Sequence, residues 1–343
     1  MSVVDHPDVV VPRSNRSFIC DALVHRDLTQ PASDFLERTG KRIRNSVVEL
    51  VYAMAGGSGH LPPCLGEAIE WLHAGSLVID DIQDESPMRR GLPSLHMQIG
   101  IPLALNAGNW MYFQALEKLF DNSLSRAAQN RLVHNLVRAS LRCHQGQSLD
   151  LGTHVDRIEG KNIQSVVLQI SRLKTGSLVS MAATFGAVAA GANRHLREAL
   201  SRFGMDVGIA LQMRNDLEEL RSMTNHSHEF NTKRMEDLRN ARITWPWAWA
   251  YSVCSLDDFT ALIGKLPNCM EDPLALSRLA TQLLSYSERK GEAAIQQRFD
   301  RQFCELSTHE IDDQALAEMK KVLERISNPS RELRKDADAN LPE

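Results

Sequence analysis

This chain is short of aromatic residues, of cysteine pairs and of long apolar runs. Phe, Trp and Tyr make up 6% of its 343 residues, too few for the alternating, aromatic-rich strands of an all-β fold. The six cysteines (Cys20, Cys64, Cys143, Cys254, Cys269 and Cys304) are scattered without a CxxC spacing. That argues against a zinc site or a disulfide framework and predicts reduced thiols in a cytoplasmic protein. No stretch approaches the roughly 18 uninterrupted apolar residues of a spanning helix, so no membrane span is expected. Met1 to Pro12 carries acids and prolines where a secretory leader would be basic and then apolar. Excess positive charge is missing as well. With 39 Lys+Arg against 43 Asp+Glu and a net charge of -4, there is no basic footprint for nucleic acid.

What is present is helical. Leu, Ala and Arg are the leading helix formers, and the apolar residues repeat with helical period almost without interruption. Breaks at Gly56-Gly57-Ser58-Gly59, Leu61-Pro62-Pro63, Gly91-Leu92-Pro93, Gly100-Ile101-Pro102, Asp121-Asn122 and Gly191-Ala192-Asn193 delimit the elements. They predict helices near 33–55, 64–86, 103–120, 125–149, 162–190 and 195–223, with more near 234–252, 256–265, 272–303 and 309–327. No linker rich in Gly, Ser or Pro divides the chain. The expectation is a single all-α domain over 17–327, packed around a central cavity, with a loose N-terminus (1–16) and a polar tail (328–343).

One segment carries most of the chemistry. Asp80-Asp81-Ile82-Gln83-Asp84-Glu85-Ser86 follows the apolar run from Ile69 to Ile79 and precedes Arg89-Arg90-Gly91. Residues four apart share a helix face, so Asp80 and Asp84 stand one above the other with Asp81 to the side. Two such carboxylates about 6 Å apart repel by roughly 3 kcal/mol at an effective dielectric of about 20. A cation relieves that strain, and oxygen-only donors with this spacing suit Mg²⁺ shared with substrate phosphates. The arginine pair supplies the other half of a diphosphate site. His73 and Ser76 extend the same stripe upstream, since His73, Ser76, Asp80 and Asp84 fall at i, i+3, i+7 and i+11.

A second stripe runs through Gly208, Gln212, Asn215, Asp216 and Glu219. Alone it would pass as a solvated helix turn. Paired with Asp80 and Asp84, it makes a second metal-binding wall, and one diphosphate would be clamped between two helices. The cationic candidates are Lys41, Arg44, Arg89, Arg90, Lys174 and Arg242. Lys174-Thr175-Gly176 interrupts an apolar helix, and the glycine there would allow a kink that aims Lys174 inward.

With these groups in place, the chain resembles the trans-isoprenyl diphosphate synthases, or polyprenyl synthetases. The likeness spans roughly residues 37 to 250. It rests on Leu72 to Asp84, Ser86-Pro87-Met88-Arg89-Arg90-Gly91, Gly100-Ile101-Pro102, Asn109-Trp110-Met111-Tyr112-Phe113 and His144 to Asp150, which look most like the eukaryotic-type geranylgeranyl diphosphate synthases. The resemblance implies an isoprenoid-synthase helical bundle around a deep pocket, usually in a homodimer. It also implies roles. Lys41, Arg44, His73 and Arg90 would hold isopentenyl diphosphate. Asp80, Asp81 and Asp84 would bind the allylic diphosphate through Mg²⁺, three ions with the second motif in the family pattern, helped by Arg89, Lys174 and Gln212. Thr175 would lend its carbonyl to the allylic cation. Tyr112, Phe113 and His144 would form the floor that stops growth, giving a C20 product.

Four positions depart from the family pattern. Asn215 opens the second motif, Asn215-Asp216 with Glu219 closing, where an aspartate is usual. Lys233 lies one position out of register with an expected lysine. Arg242 stands where a lysine is usual, ahead of Thr244 and Pro246, and Asn45 replaces a proline. A terpene cyclase on the same scaffold and a non-catalytic partner subunit are the alternatives. A cyclase has no use for Lys41, Arg44, His73 and Arg90 together.

Overall fold

The computed structural model describes residues 13–38, 43–224, 236–269 and 272–327. Lys41 and Lys233 lie outside them, as do most of the N-terminal stretch and all of the 328–343 tail. The all-α expectation holds. The helices are α1 (Arg13–Val24), α2 (Gln30–Glu37), α3 (Ile43–Met54), α4 (Pro63–Gln83), α5 (Leu95–Ile99), α6 (Ile101–Glu117), α7 (Arg126–Gly152), α8 (Gly160–Ser171), α9 (Ser177–Ala189), α10 (Arg194–Thr224), α11 (Glu236–Arg239), α12 (Trp245–Val253), α13 (Leu256–Ile263), α14 (Leu266–Cys269), α15 (Pro273–Leu306) and α16 (Asp313–Ser327). The one sheet among the described residues is a hairpin of β1 (Met88–Arg89) and β2 (Leu92–Pro93). The residues group into two compact units, 1–41 with 70–115 and 42–69 with 116–343.

In the first unit, bare glycines bring α4 and α6 together. A Cβ added at Gly75 would lie 2.8 Å from the Gly108 carbonyl oxygen and 3.2 Å from the Tyr112 ring. Trp71 and Trp110 meet edge to face across the same pair, with centroids 5.5 Å apart. Helix α4 stops at Gln83, short of the predicted 86. Glu85 adopts φ 53°, and the Ser86 N–H donates to the Asp81 carbonyl at 2.9 Å, which is a Schellman ending with a non-glycine left-handed residue. The hairpin follows at once. Arg90 (φ 56°) and Gly91 (φ 79°) form the two-residue turn between the strand pairs Met88–Pro93 and Arg89–Leu92. Positive φ at both turn positions matches strand twist, which explains the glycine.

The second unit is built on α10, which packs against α9, α15 and the segment between α8 and α9. Gly204 sits against the Val179 carbonyl, and Gly186 on α9 against the Val48 carbonyl of α3. Phe185, Leu200, Phe203 and Leu283 are all but inaccessible, and each such side chain stabilises the fold by about 2 kcal/mol. Arg214, 6% exposed, makes a two-pronged bond to Glu292 of α15, at 2.7 and 2.7 Å.

The predicted helix over 162–190 runs without a break but changes its hydrogen-bond spacing midway. Between α8 and α9 lies a π-helical turn, Arg172–Gly176. The predicted helix near 234–252, by contrast, is divided: Ala241 takes φ 51°, and Pro246 reopens the chain in the first turn of α12. Helix α1 begins at Arg13, inside the stretch expected to be loose.

Candidate active site

In the first unit Asp80 and Asp81 stand in the last turn of α4, and Asp84 follows directly after it. Asp81 is fully buried, while Asp80 and Asp84 are half-buried. The hairpin delivers Arg89 to them. Its Nε donates to Asp81 Oδ1 at 2.7 Å, and its Nη2 pairs with the same carboxylate and lies 3.5 Å from Asp80 Oδ2. One guanidinium therefore screens both adjacent acids. His73 and Ser76 are half-buried, and the Ser76 hydroxyl donates to the His73 carbonyl at 2.7 Å.

Arg90, on the turn, points elsewhere. Its Nη1 donates to the Arg38 carbonyl at 2.8 Å. Arg38 in turn donates to the Pro93 carbonyl at 3.0 Å and lies 4.7 Å above the Phe35 ring. Burial lowers the pKa of both guanidiniums, and each feels the pull of Asp81. Arg38 was not among the cations singled out in the sequence, because a helix-ending arginine gives no local sign of a partner 52 residues away. Tyr112 is half-buried beside Gly75, and Phe113 is 68% exposed in the single chain.

The second unit holds the other acidic stripe, and here the π-turn matters. Thr175 Oγ1 donates to Gln212 Oε1 at 2.6 Å, and Gln212 Nε2 donates to Asp216 Oδ1 at 2.7 Å. The other Asp216 oxygen accepts the Trp245 backbone N–H at 2.9 Å, so the carboxylate caps the N-terminus of α12, where the helix dipole favours negative charge. Burial nevertheless pushes the Asp216 pKa up to about 7, against these hydrogen bonds. Glu219 is raised well above its usual value by burial and then by Asp237, Asp216 and Glu236. Asn215 is exposed.

Lys174 does turn away from solvent, with a cause other than the glycine kink expected from the sequence. Gly176 has an ordinary helical φ of -58°. What it lacks is a Cβ, which would lie 2.6 Å from Met205 Sδ. Gly208 answers it from α10, where an added Cβ would fall 2.7 Å from Gly176 Cα and 2.8 Å from the Thr175 carbonyl oxygen. The extra residue of the π-turn, a feature common at functional sites, rotates Lys174 onto Asp150, at 2.5 Å. Arg242, 8% exposed, donates to the Asp150 carbonyl at 2.8 Å. Asp150 was read only as part of a motif; its signal was the lysine inside an apolar helix, which requires a counter-ion. Arg44 is half-buried on α3, and His144 is exposed on α7.

The match to the polyprenyl synthetase family model covers residues 25–274. A geranylgeranyl diphosphate synthase of Sulfolobus acidocaldarius is 30% identical over 251 residues, 72% of this chain and 74% of that one. A geranylfarnesyl diphosphate synthase of Aeropyrum pernix is 29% identical over 275 residues, 76% and 82% of the two chains. The crystal structure of a Corynebacterium glutamicum geranylgeranyl pyrophosphate synthase, complexed with isoprenyl diphosphate and magnesium, superposes with a TM-score of 0.74 at 22% identity, covering 92% of this chain and 94% of that one. The fold, the two acidic stripes with their cations and the length of the match agree: this chain belongs to the polyprenyl synthetase family.

Proposed function

We propose that this trans-prenyltransferase condenses isopentenyl diphosphate with an allylic diphosphate and releases geranylgeranyl diphosphate. The observation that carries the reading is Arg89 spanning Asp80 and Asp81, a cation held in reserve against two acids that a substrate diphosphate and its metal would engage. The donor set suits magnesium. Asp80, Asp81 and Asp84 in the first unit, and Asp216 and Glu219 in the second, offer oxygen alone, and Asn215 adds an amide oxygen. Among the described residues no three His, Cys, Asp or Glu side chains form a ready-made cage. Mg²⁺ binds in this manner, through a few carboxylates with substrate phosphates completing its shell. A divalent cation held there would offset the burial that raises Asp216 and Glu219. When bound, Mg²⁺, three ions in this reading, supplies Lewis-acid neutralisation of the departing diphosphate.

The chain's own groups do the rest. Lys41, Arg44, His73 and Arg90 would hold isopentenyl diphosphate, while Arg89, Lys174 and Gln212 would steady the allylic diphosphate, with Arg242 and Lys233 as further substrate-binding groups. The allylic carbon–oxygen bond breaks and its electron pair leaves with the diphosphate. The Thr175 carbonyl steadies the resulting cation as the isopentenyl double bond attacks it. The released diphosphate takes the proton, so no dedicated base is required. Tyr112, Phe113 and His144 would limit chain length, in a cytoplasmic homodimer.

The test is an incubation of purified protein with Mg²⁺, isopentenyl diphosphate and dimethylallyl, geranyl or farnesyl diphosphate in turn, with products read by mass spectrometry. A C20 diphosphate that disappears with EDTA is the expected result. Consumption of the allylic substrate without isopentenyl diphosphate would mark a cyclase instead, and no turnover with any starter would sink the proposal.

A further inference from the structure

Trp245, the first residue of α12, links the second acidic stripe to the end of α8. Its backbone N–H donates to Asp216 Oδ2 at 2.9 Å, and its indole Nε1–H donates to Ser171 Oγ, also at 2.9 Å. Trp245 is 3% exposed, Ser171 1% and Asp216 7%. Ser171 is the last residue of α8, directly before the π-turn, and its hydroxyl donates onward to the Val167 carbonyl at 2.8 Å. From the far end of the turn, Thr175 reaches Asp216 through Gln212. The bonds close a ring that runs from Ser171 along the turn to Thr175, across to Gln212 and Asp216, and back through Trp245.

The ring meets a specific need. A π-turn carries one residue more than an α-turn, and helix geometry alone does not hold that residue in place. Relaxation to a regular α-turn would shift the register by one residue, rotating Lys174 by about 100°. The indole donor sits at the hinge of that shift, and its orientation is set by stacking on Trp249, 5.8 Å between centroids. Two residues on in the same helix, the Trp247 indole N–H is buried without a hydrogen-bond partner. Pairing is therefore not general to the tryptophans of α12; it is found where the π-turn begins.

We propose that Trp245 is a positioning residue, whose indole bond to Ser171 locks the Lys174–Thr175 turn in register with Asp216. The lock is a property of the ligand-free chain. The prenyl-transfer reading enters only in the choice of reaction used to assay it.

Trp245→Phe and Ser171→Ala each remove the same bond, the first while keeping the backbone N–H to Asp216. Trp247→Phe removes a tryptophan from the same helix without touching the ring. In hydrogen exchange on the full-length, ligand-free protein, peptides covering Arg172–Gly176 should lose about tenfold in protection in Trp245→Phe, in Ser171→Ala and in the double variant alike. Trp247→Phe should leave that segment at the wild-type level. In steady-state assays kcat should fall about tenfold with the KM for isopentenyl diphosphate within twofold of wild type, and the double variant should be no worse than either single one. Unchanged protection of the turn overturns the proposal. So does a loss spread evenly over the chain, or additive effects in the double variant. Should the wild-type protein transfer no prenyl group, the functional reading fails while the exchange data still decide the role of Trp245.

Discussion

Arg89 donates through Nε to the fully buried carboxylate of Asp81 at 2.7 Å, and the strand pair on either side of a positive-φ turn holds it there. Breaking a buried ion pair from one side costs roughly 3 kcal/mol. Arg89→Ala should therefore lower the urea midpoint of the whole protein as well as kcat. Arg89→Lys, which keeps the charge but not the fork, should recover part of the stability and less of the rate. Unaltered unfolding of Arg89→Ala would show that the hairpin places this arginine for substrate alone.

Tyr112 lies beside Gly75 in the first unit, and with Phe113 it is the expected floor of the prenyl pocket. Replacing both by Ala should lengthen the product by one or more five-carbon units, read by mass spectrometry of the diphosphates. Unchanged chain length would remove both residues from that role.

Gly208 is a site where a single methyl should disturb the reaction. A Cβ there would press on Gly176 Cα and the Thr175 carbonyl oxygen, at 2.7 and 2.8 Å. Overpacking of this kind costs about 1–3 kcal/mol. Because the neighbour is the turn that carries Lys174, Gly208→Ala should reduce kcat more than its loss of Tm alone would account for. Gly204→Ala, which crowds α9 and not the turn, is the comparison.

Burial alone would raise the Glu292 carboxyl, but hydrogen bonds from Arg214 and Arg221 hold it below its usual value of 4.5. A depressed carboxylate contributes stability in full above the unfolded-state value, and loses it as pH falls through the lower folded-state value. Glu292→Gln should thus unfold at lower urea than wild type at pH 7, by about 1 kcal/mol after solvent screening. The gap should close in acid, below pH 4.5. A gap independent of pH would assign the effect to packing.

The Cys143 thiol donates to the Lys174 carbonyl at 3.5 Å, and burial pushes its pKa up to about 12, outweighing Arg44 and Lys174. At pH 8 it carries almost no thiolate, the reactive form. Peptide mapping after brief iodoacetamide treatment should find the exposed Cys20 and Cys304 alkylated well before Cys143.

Much of the site was legible because its parts are local. Asp80, Asp81 and Asp84 fall within five residues at the end of α4, so their spacing alone brings them to neighbouring faces. The Arg89-Arg90-Gly91 run likewise announces its own turn. Pairings across long sequence separations were not legible. Lys174 finds Asp150 across 24 residues, Arg90 finds the Arg38 carbonyl across 52, and the Trp245 indole finds Ser171 across 74. The π-turn was hidden for a related reason, since an extra residue in a helix barely disturbs an apolar pattern read over so few turns.

The sequence by itself determined that this protein is helical, where the acids and cations fall along each helix, and which family it resembles. All of these follow from side-chain chemistry and the helical period. Only the tertiary structure decided that Arg89 and not Arg90 takes the Asp81 carboxylate, that Gly176 and Gly208 serve close approach and not a kink, and that Trp245 closes a ring behind Lys174. Those outcomes depend on which backbone donor or bare glycine comes to lie opposite a given side chain, and that is set by packing between helices rather than by the order of residues within one.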